Sequence, residues 1–263
     1  MIKSVLKSRI VEIFFGTGIP MVGFVCAVKS AGGLIDICWF YPLLFLTGWH
    51  IITVNDICFD RSSFRFSMKY IPSLVFVPLI LAGVIFLKPA FIIILFLIIL
   101  NWDIYSSYGK YNWLTGLFHN FTGGILHFLV GVAAAGGMDL FAYYAPALFF
   151  GFAMLSGAIH HDAGHLSEDS CRKYKTGAVV FGDFSWWRLG VIPMLAGIIF
   201  LLITKDMLFM FCFCISSSLY FGLYSITATW KFNNYMLYFR VFCRLAFAIG
   251  ALVYIVVRLL RMG

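Results

Sequence analysis

The chain consists almost entirely of long apolar runs separated by short stretches that carry its few charges. Hydrophobic residues make up 62% of its 263 residues and charged residues only 11%, whereas a soluble domain has about 45–50% apolar and about 25% charged residues. A membrane-spanning helix needs about 20 predominantly apolar residues. The composition therefore excludes an ordinary soluble domain and predicts an all-α, polytopic membrane helical bundle.

Nine apolar runs are candidate spans, at residues 10–31, 34–59, 72–87, 89–104, 114–135, 138–161, 186–204, 207–230 and 238–260. Only Lys88 and Pro89 separate the third run from the fourth, and proline there predicts a turn because it lacks a backbone N–H. We predict a single transmembrane domain over residues 1–263. It contains two helical blocks, at about 10–107 and 114–204, and two C-terminal spans.

The basic residues of the chain, whose net charge is +8, are unevenly divided between the two predicted sides of the membrane. With the N-terminus in the cytoplasm, fourteen of the nineteen Lys and Arg residues are cytoplasmic, and the other five are Lys29, Lys88, Lys205, Arg258 and Arg261. The positive-inside rule favours this orientation. No basic stripe with interleaved aromatic residues lies outside the spans, so we expect no nucleic-acid partner.

Acidic residues are concentrated at two predicted cytoplasmic helix ends. In the first, Asp56 follows Asn55, and Asp60 lies four residues later on the same helix face. Two carboxylates so placed repel each other unless a cation lies between them. Because an acid at membrane depth costs at least about 2.5 kcal/mol, this pair indicates a functional site. A solvated helix end neutralised by Arg61 and Arg65 is the structural alternative.

The second acidic segment also contains histidines. His161, His165 and Asp169 are spaced i, i+4 and i+8, which places them on one helix face if the helix continues that far, with Asp162 on its flank. Imidazoles and carboxylates on one stripe suit a divalent cation. The alternative is that the histidines are ordinary buried residues with satisfied hydrogen bonds.

A short loop between the two blocks carries Tyr105 and Lys110 on the same predicted side. Lys110 is a candidate for binding an anionic ligand, although a lysine there also serves orientation. Two carboxylate-bearing helix ends beside basic residues suit Mg²⁺ on a diphosphate, because Mg²⁺ takes one or two protein carboxylates together with phosphate oxygens and water. An isoprenoid tail on that diphosphate would be bound by the apolar, aromatic bundle.

Three segments of the sequence resemble the UbiA superfamily of intramembrane prenyltransferases, and the likeness covers most of the chain. The matching residues are Asn55 and Asp56 through Arg61, Tyr105 and Ser106 with Lys110, and Asp169 followed by Lys175, Thr176 and Gly182. The resemblance implies a Mg²⁺-dependent enzyme that moves an isoprenyl group from a prenyl diphosphate to an aromatic or other lipophilic acceptor.

The motifs and the resemblance together lead us to expect a role for each candidate site residue, and the distribution of basic residues leads us to expect an active site that faces the cytoplasm. Mg²⁺ is the expected cofactor, and prenyl diphosphate, a lipophilic acceptor and membrane lipid are the expected partners. The expected metal ligands are Asp56, Asp60, Asp169 and His165, and the catalytic group consists of the three aspartates with Lys110 and Tyr105. The expected substrate-binding residues are Asn55, Arg65, Arg172, Lys175 and Asp162.

The chain departs from the family's pattern at both acidic motifs. Asp60 comes one residue later than the middle acid of the usual first motif, whose last acid is absent here. In the second motif, His165 stands where the family usually has an acid. Two alternatives therefore remain open. One is a UbiA-type terpene cyclase, in which the allylic cation closes on its own chain, and the other is a non-catalytic or transport membrane protein with a degenerate site.

Overall fold

The computed structural model describes residues 16–55, 89–137, 139–229 and 235–262, and within these ranges the chain is helical apart from short connections and has no β-strand. This confirms the predicted all-α class. The α-helices are α1 (Gly18–Ala27), α2 (Ile37–Val54), α3 (Pro89–Ser107), α4 (Trp113–Ala134), α5 (Tyr144–Gly164), α6 (Leu166–Cys171), α7 (Gly177–Phe181), α8 (Asp183–Leu189), α9 (Val191–Leu202), α10 (Met207–Thr229) and α11 (Tyr235–Leu260).

Seven helical segments in the described part of the chain are long and apolar enough to cross a membrane. They are Gly32–Ile52, Pro89–Tyr111, Trp113–Ala134, Leu140–Gly164, Asp183–Leu202, Met207–Ala228 and Tyr238–Leu260. They correspond to the second and the fourth to ninth predicted runs, which supports an integral, multi-pass membrane protein. The first predicted run is represented by the ten-residue α1, and the run at 72–87 lies outside the described residues. A total of nine spans therefore stays a prediction.

Helix α4 lies at the centre of the bundle and packs against α1, α3 and α5. Small residues allow these close approaches. An added Cβ at Gly131 would overlap the carbonyl oxygen of Pro20 on α1, and one at Gly124 would overlap that of Phe150 on α5. Lipid is as apolar as leucine, so membrane helices associate through close packing of this kind and through polar contacts.

A polar cluster joins α3 to α4 between the apolar contacts. The side-chain amide of Asn101 donates to the carbonyl of His119 at 3.0 Å, and Nδ1 of His119 donates to Oδ1 of Asn101 at 2.9 Å. The hydroxyl of Thr122 also donates to Oδ1 of Asn101, at 2.8 Å. Because all three side chains find partners within the bundle, these polar groups fix the register of the two helices.

Aromatic side chains fill the space between α4, α5 and α10. Phe128, Phe149, Phe150, Phe209 and Phe213 are buried and lie in mutual ring contact, the closest pair being Phe209 and Phe213 with centroids 4.6 Å apart. The outward faces are also apolar and include Phe96, Phe211 and Leu252. A bundle that is apolar both inside and outside is expected in lipid.

One end of the bundle, which we call the far end, is closed by a satisfied polar network. The carboxylate of Asp206 accepts from the hydroxyl of Tyr254 at 2.8 Å and from the backbone N–H of Phe209 at 3.0 Å. Nη1 of Arg258 lies 4.0 Å from the same carboxylate. This network joins the start of α10 to the last turns of α11.

Replacing Gly131 with alanine tests the packing of α4 on α1. The added methyl group overlaps the Pro20 carbonyl, so the helices must separate, and overpacking of this kind costs about 1–3 kcal/mol. We expect a lower unfolding temperature in detergent for Gly131→Ala. The control is Gly157→Ala on α5, where an added Cβ meets nothing within 4 Å. Equal unfolding temperatures of the two variants would contradict the described packing.

Candidate functional site

Lys110 joins three segments that are far apart in the sequence. It lies in the short 3₁₀ turn Gly109–Tyr111 after α3, and its Nζ donates to Oδ1 of Asn55 at 2.7 Å. Its backbone carbonyl accepts from the N–H of Lys175 at 2.9 Å. Its Nζ also lies 5.2 Å from the ring centroid of buried Tyr174. The end of α2, the α3–α4 turn and the segment after α6 therefore meet at Lys110.

Local packing sets the shape of the turn that carries Lys110. The ring of Tyr105 packs on Gly109, where an added Cβ would lie 2.7 Å from Cδ2 of the ring, and it also makes an edge contact with Trp102. Asn112 then caps α4, since its side-chain oxygen accepts from the N–H of Leu114 at 3.0 Å. These contacts place half-buried Tyr105 beside the turn of Lys110.

The helix that carries the histidines does not continue unbroken to Asp169. Helix α5 ends at Gly164, His165 adopts a non-helical backbone conformation, and α6 begins at Leu166. The rings of His161 and His165 nevertheless lie 4.3 Å apart between centroids. The backbone N–H of Asp169 donates to the carbonyl of His165 at 2.9 Å. The three residues therefore stay neighbours across the break.

Asp169 is half-buried where α6 turns back toward Lys110. Its Oδ2 accepts from the hydroxyl of Thr176 at 3.1 Å, and its backbone carbonyl accepts from the N–H of Tyr174 at 3.0 Å. Burial raises the pKa of the Asp169 carboxyl above its ordinary value. The Thr176 hydrogen bond and the charges of His165 and Lys110 oppose that rise in pKa. A cation at this carboxylate would favour its ionised form in the same way.

The described acids suit Mg²⁺ as a pair rather than as a cage. Asp162, in the last turn of α5, is close enough to Asp169 for the two carboxylates to interact. Mg²⁺ commonly uses one or two protein carboxylates and completes its shell with phosphate and water. Among the described residues no group of three or more His, Cys, Asp or Glu side chains forms a metal cluster. Asp56, Asp60 and Arg65 lie outside the described residues.

Glu168 holds two of the residues predicted for the site. Nδ1–H of His165 donates to Oε2 of Glu168 at 3.0 Å, and Nη2 of Arg172 lies 2.7 Å from Oε1. The first contact leaves Nε2 of His165 as the nitrogen able to bind a metal, an arrangement in which a carboxylate orients a ligating imidazole. Arg172 and Lys175 are exposed, and Lys175 contributes its backbone N–H to the Lys110 turn.

Two arginines of α11 belong to the same region, although the sequence did not single them out. Arg240 and Arg244, together with Lys110 and His165, interact electrostatically with His161. The His161 side chain is exposed beside these neighbours. We call this region the polar chamber, and its described members are Lys110, His161, His165, Asp169, Arg240 and Arg244. The sequence feature that could have revealed them is a pair of arginines four residues apart inside an apolar run.

Asp103 and His50 are a further pair that sequence reasoning missed. Asp103 lies on α3 two residues before Tyr105, and His50 lies on α2 five residues before Asn55. Their charges interact, so the pair connects the two helices that carry these site residues. The sequence feature that could have revealed the pair is Asp103, an acid inside an apolar run.

His160, the neighbour of His161, has a structural role. Its Nε2–H donates to the hydroxyl oxygen of Tyr220 on α10 at 2.8 Å, and that hydroxyl donates to the carbonyl of Gly190 at 3.2 Å. The His160 ring also contacts Phe239 on α11, with centroids 4.7 Å apart. This buried network holds the end of α5 against α10 and α11 and so positions the polar chamber.

The comparison with protein families found no match, and neither did the comparison with curated proteins. A solved structure of a digeranylgeranylglyceryl phosphate synthase in membranes is similar, with a TM-score of 0.67 over 96% of this chain and 95% of that chain. The chain has the fold of a membrane prenyltransferase. The two sequences are 14% identical, so the likeness establishes the fold.

This fold confirms the predicted class of membrane bundle. Asn55, Tyr105, Lys110 and Asp169, predicted from three separate motifs, lie in contacting segments. The individual roles predicted for the site residues, the bound metal and the orientation in the membrane stay predictions.

Tyr220→Phe tests whether the His160 network supports the chamber. Loss of the hydroxyl leaves the Gly190 carbonyl and the His160 N–H without their partner, and a buried unsatisfied group costs about 1–3 kcal/mol. We expect a lower unfolding temperature in detergent than for Tyr238→Phe, which removes a hydroxyl from a tyrosine that is 57% exposed. A Tyr220→Phe variant with the same unfolding temperature as this control would show that the network does not stabilise the fold.

Proposed function

We propose that the protein is a Mg²⁺-dependent intramembrane prenyltransferase, which moves an isoprenyl group from a prenyl diphosphate to a lipophilic acceptor. The single observation that carries the proposal is the meeting of Asn55, Lys110 and the Asp169–Lys175 segment at one end of the bundle. Amide, ammonium and carboxylate groups thus converge where the apolar spans end. A ligand with a charged head and an apolar tail matches both parts of this site.

Lys110 is the group best placed to hold the leaving diphosphate. When the allylic C–O bond breaks, its electron pair stays on the diphosphate oxygen, and the ammonium stabilises that growing negative charge. The hydrogen bond to Asn55 and the backbone contact with Lys175 fix its position before reaction. Tyr105, which packs on the same turn, is the proposed hydrogen-bond donor to a diphosphate oxygen.

Asp169 and Asp162, with Asp56 and Asp60 from the first motif, are the proposed ligands of one or two Mg²⁺ ions, and His165 assists through Nε2. Bound Mg²⁺ neutralises diphosphate oxygens and makes the diphosphate a better leaving group. Asn55, Arg65, Arg172 and Lys175 are the remaining proposed substrate-binding residues. The apolar bundle keeps water from the allylic cation, so that the acceptor forms the new bond and its proton passes to the departing diphosphate.

Pyrophosphate release by the purified protein tests the proposal. Geranyl, farnesyl, geranylgeranyl and longer prenyl diphosphates are offered with lipophilic acceptors, with Mg²⁺ or with EDTA. We expect Mg²⁺-dependent release of pyrophosphate and, by mass spectrometry, a prenylated acceptor. If a cyclic hydrocarbon or alcohol forms without an acceptor, the protein is a terpene cyclase and not a transferase. If no donor yields pyrophosphate, the protein is a non-catalytic membrane protein.

Asp169→Asn tests the carboxylate in that assay. The amide keeps the size of the side chain and an oxygen for Thr176 but removes the charge that attracts Mg²⁺, so we expect turnover to fall by at least about 100-fold. Asp139→Asn is the matched control, because Asp139 is exposed at the opposite end of α5 and asparagine can still cap the Ala142 N–H. Equal activity of both variants would contradict the role of Asp169.

Lys110→Gln tests the leaving-group interaction. Glutamine can still hydrogen-bond Asn55 but carries no charge, so we expect the kcat to fall by about 100-fold to 1,000-fold while the protein remains folded. Lys205→Gln, an exposed lysine at the far end, is the control and should keep the wild-type kcat. A normal kcat in Lys110→Gln would show that the ammonium does not act in the transition state.

A further inference from the structure

We propose that Arg240 and Arg244 bind a phosphate group of a substrate lipid inside the polar chamber, an inference that rests on the proposed function. The two arginines lie one turn apart, at i and i+4, and therefore on the same face of α11. They stand in the first turns of the span Tyr238–Leu260, whose remaining length is apolar until Arg258. An arginine inside a span is costly unless a partner compensates its charge.

The position of Arg240 shows that this face of α11 is turned toward the site. A Cβ built on Gly164, the last residue of α5, would lie 3.4 Å from Nη1 and 3.9 Å from Cδ of Arg240. The side chain therefore crosses the carboxyl end of α5, where unpaired helix carbonyls favour a cation. His161, one turn earlier on α5, interacts electrostatically with both arginines. Glycine at position 164 leaves room for this crossing.

Arg244 lies one turn deeper, and its charge is not compensated by the described residues. It is exposed and forms no ion pair with any acid in the described part of the chain. The group with which it interacts there is His161, which supplies no negative charge. Arg258 on the same helix differs in this respect, because it lies 4.0 Å from the carboxylate of Asp206.

The chemistry of Arg244 identifies the class of ligand. Its charge pairs with no acid in the described part of the chain and lies next to an apolar bundle, which favours an anion joined to an apolar tail. Arginine suits phosphate in particular because its planar guanidinium can donate two parallel hydrogen bonds. The phosphate has two possible sources, the diphosphate of the prenyl donor or an anionic head group on the acceptor.

Equilibrium binding to the purified full-length protein in detergent tests the proposal and separates the two sources. The first probe is inorganic pyrophosphate with Mg²⁺. The second pair of probes is a monoalkylglycerol phosphate and the matching monoalkylglycerol without phosphate. The variants are Arg244→Gln and Arg244→Lys, and the control is Arg261→Gln, which removes an exposed arginine at the opposite end of the same helix. Unfolding temperatures show that each variant is folded.

We expect Arg244→Gln to weaken binding of at least one phosphate probe by about ten-fold or more, Arg244→Lys to weaken it less, and Arg261→Gln to leave it unchanged. If only pyrophosphate binding is weakened, the arginines bind the diphosphate of the prenyl donor. Loss confined to the lipid phosphate, with the uncharged lipid unaffected, assigns them to an anionic acceptor. Unchanged binding of both phosphate probes overturns the proposal, as does a wild-type protein that binds neither.

The binding experiment can fail or succeed independently of the pyrophosphate-release experiment that tests the proposed function. A wild-type protein that binds these probes through Arg244 but releases no pyrophosphate from any prenyl diphosphate retains the anion site and loses the transferase assignment. A protein that releases pyrophosphate with unchanged KM values for donor and acceptor in Arg244→Gln retains the transferase and loses the anion site.

Discussion

The hydrogen bond between Lys110 and Asn55 is the contact on which the site depends. It joins the end of α2 to the turn between α3 and α4, and the carbonyl of Lys110 joins that turn to the segment after α6. A charged amine near the end of a membrane span is costly unless oxygen atoms or a ring face compensate it. Asn55 and Tyr174 supply both kinds of contact. The ammonium is thereby fixed in place by the fold, before any ligand binds.

Most of the fold follows from the apolar runs, because a helix in lipid must satisfy its own backbone hydrogen bonds. The run predicted at 207–230 is observed as Met207–Thr229, and the run at 238–260 lies within Tyr235–Leu260. The break at His165 was harder to predict, because a glycine at position 164 is also tolerated within a membrane helix. Arg240 of α11 crosses the end of α5 at that glycine, a tertiary contact that no local sequence pattern shows.

The site was predictable where its residues are close in sequence and not where they meet through packing. Tyr105 and Lys110 are five residues apart, so one turn brings them together. Arg240 reaches the chamber only because α11 packs against α5, about 75 residues earlier in the chain. His160 and His161 show a related limit of sequence patterns. They are adjacent, yet His160 is buried among aromatic rings and His161 is exposed.

The two ends of the bundle differ in how the charges of their described residues are compensated, and this difference supports the proposed location of the site. At the far end, Asp206 is satisfied by Tyr254, by the Phe209 N–H and by the nearby Arg258. That network needs no further partner and serves to join α10 to α11. At the site end, the carboxylates of Asp162 and Asp169 repel each other.

Arg244 completes the contrast, since it interacts with His161 and pairs with no described acid. Two carboxylates held close together and an arginine that pairs with no described acid both carry an electrostatic cost. The proposed magnesium diphosphate would lower both costs at once, because its cation would attract the carboxylates and its phosphate oxygens would attract the arginine. This charge pattern therefore supports the proposed ligand rather than a cation or an anion alone.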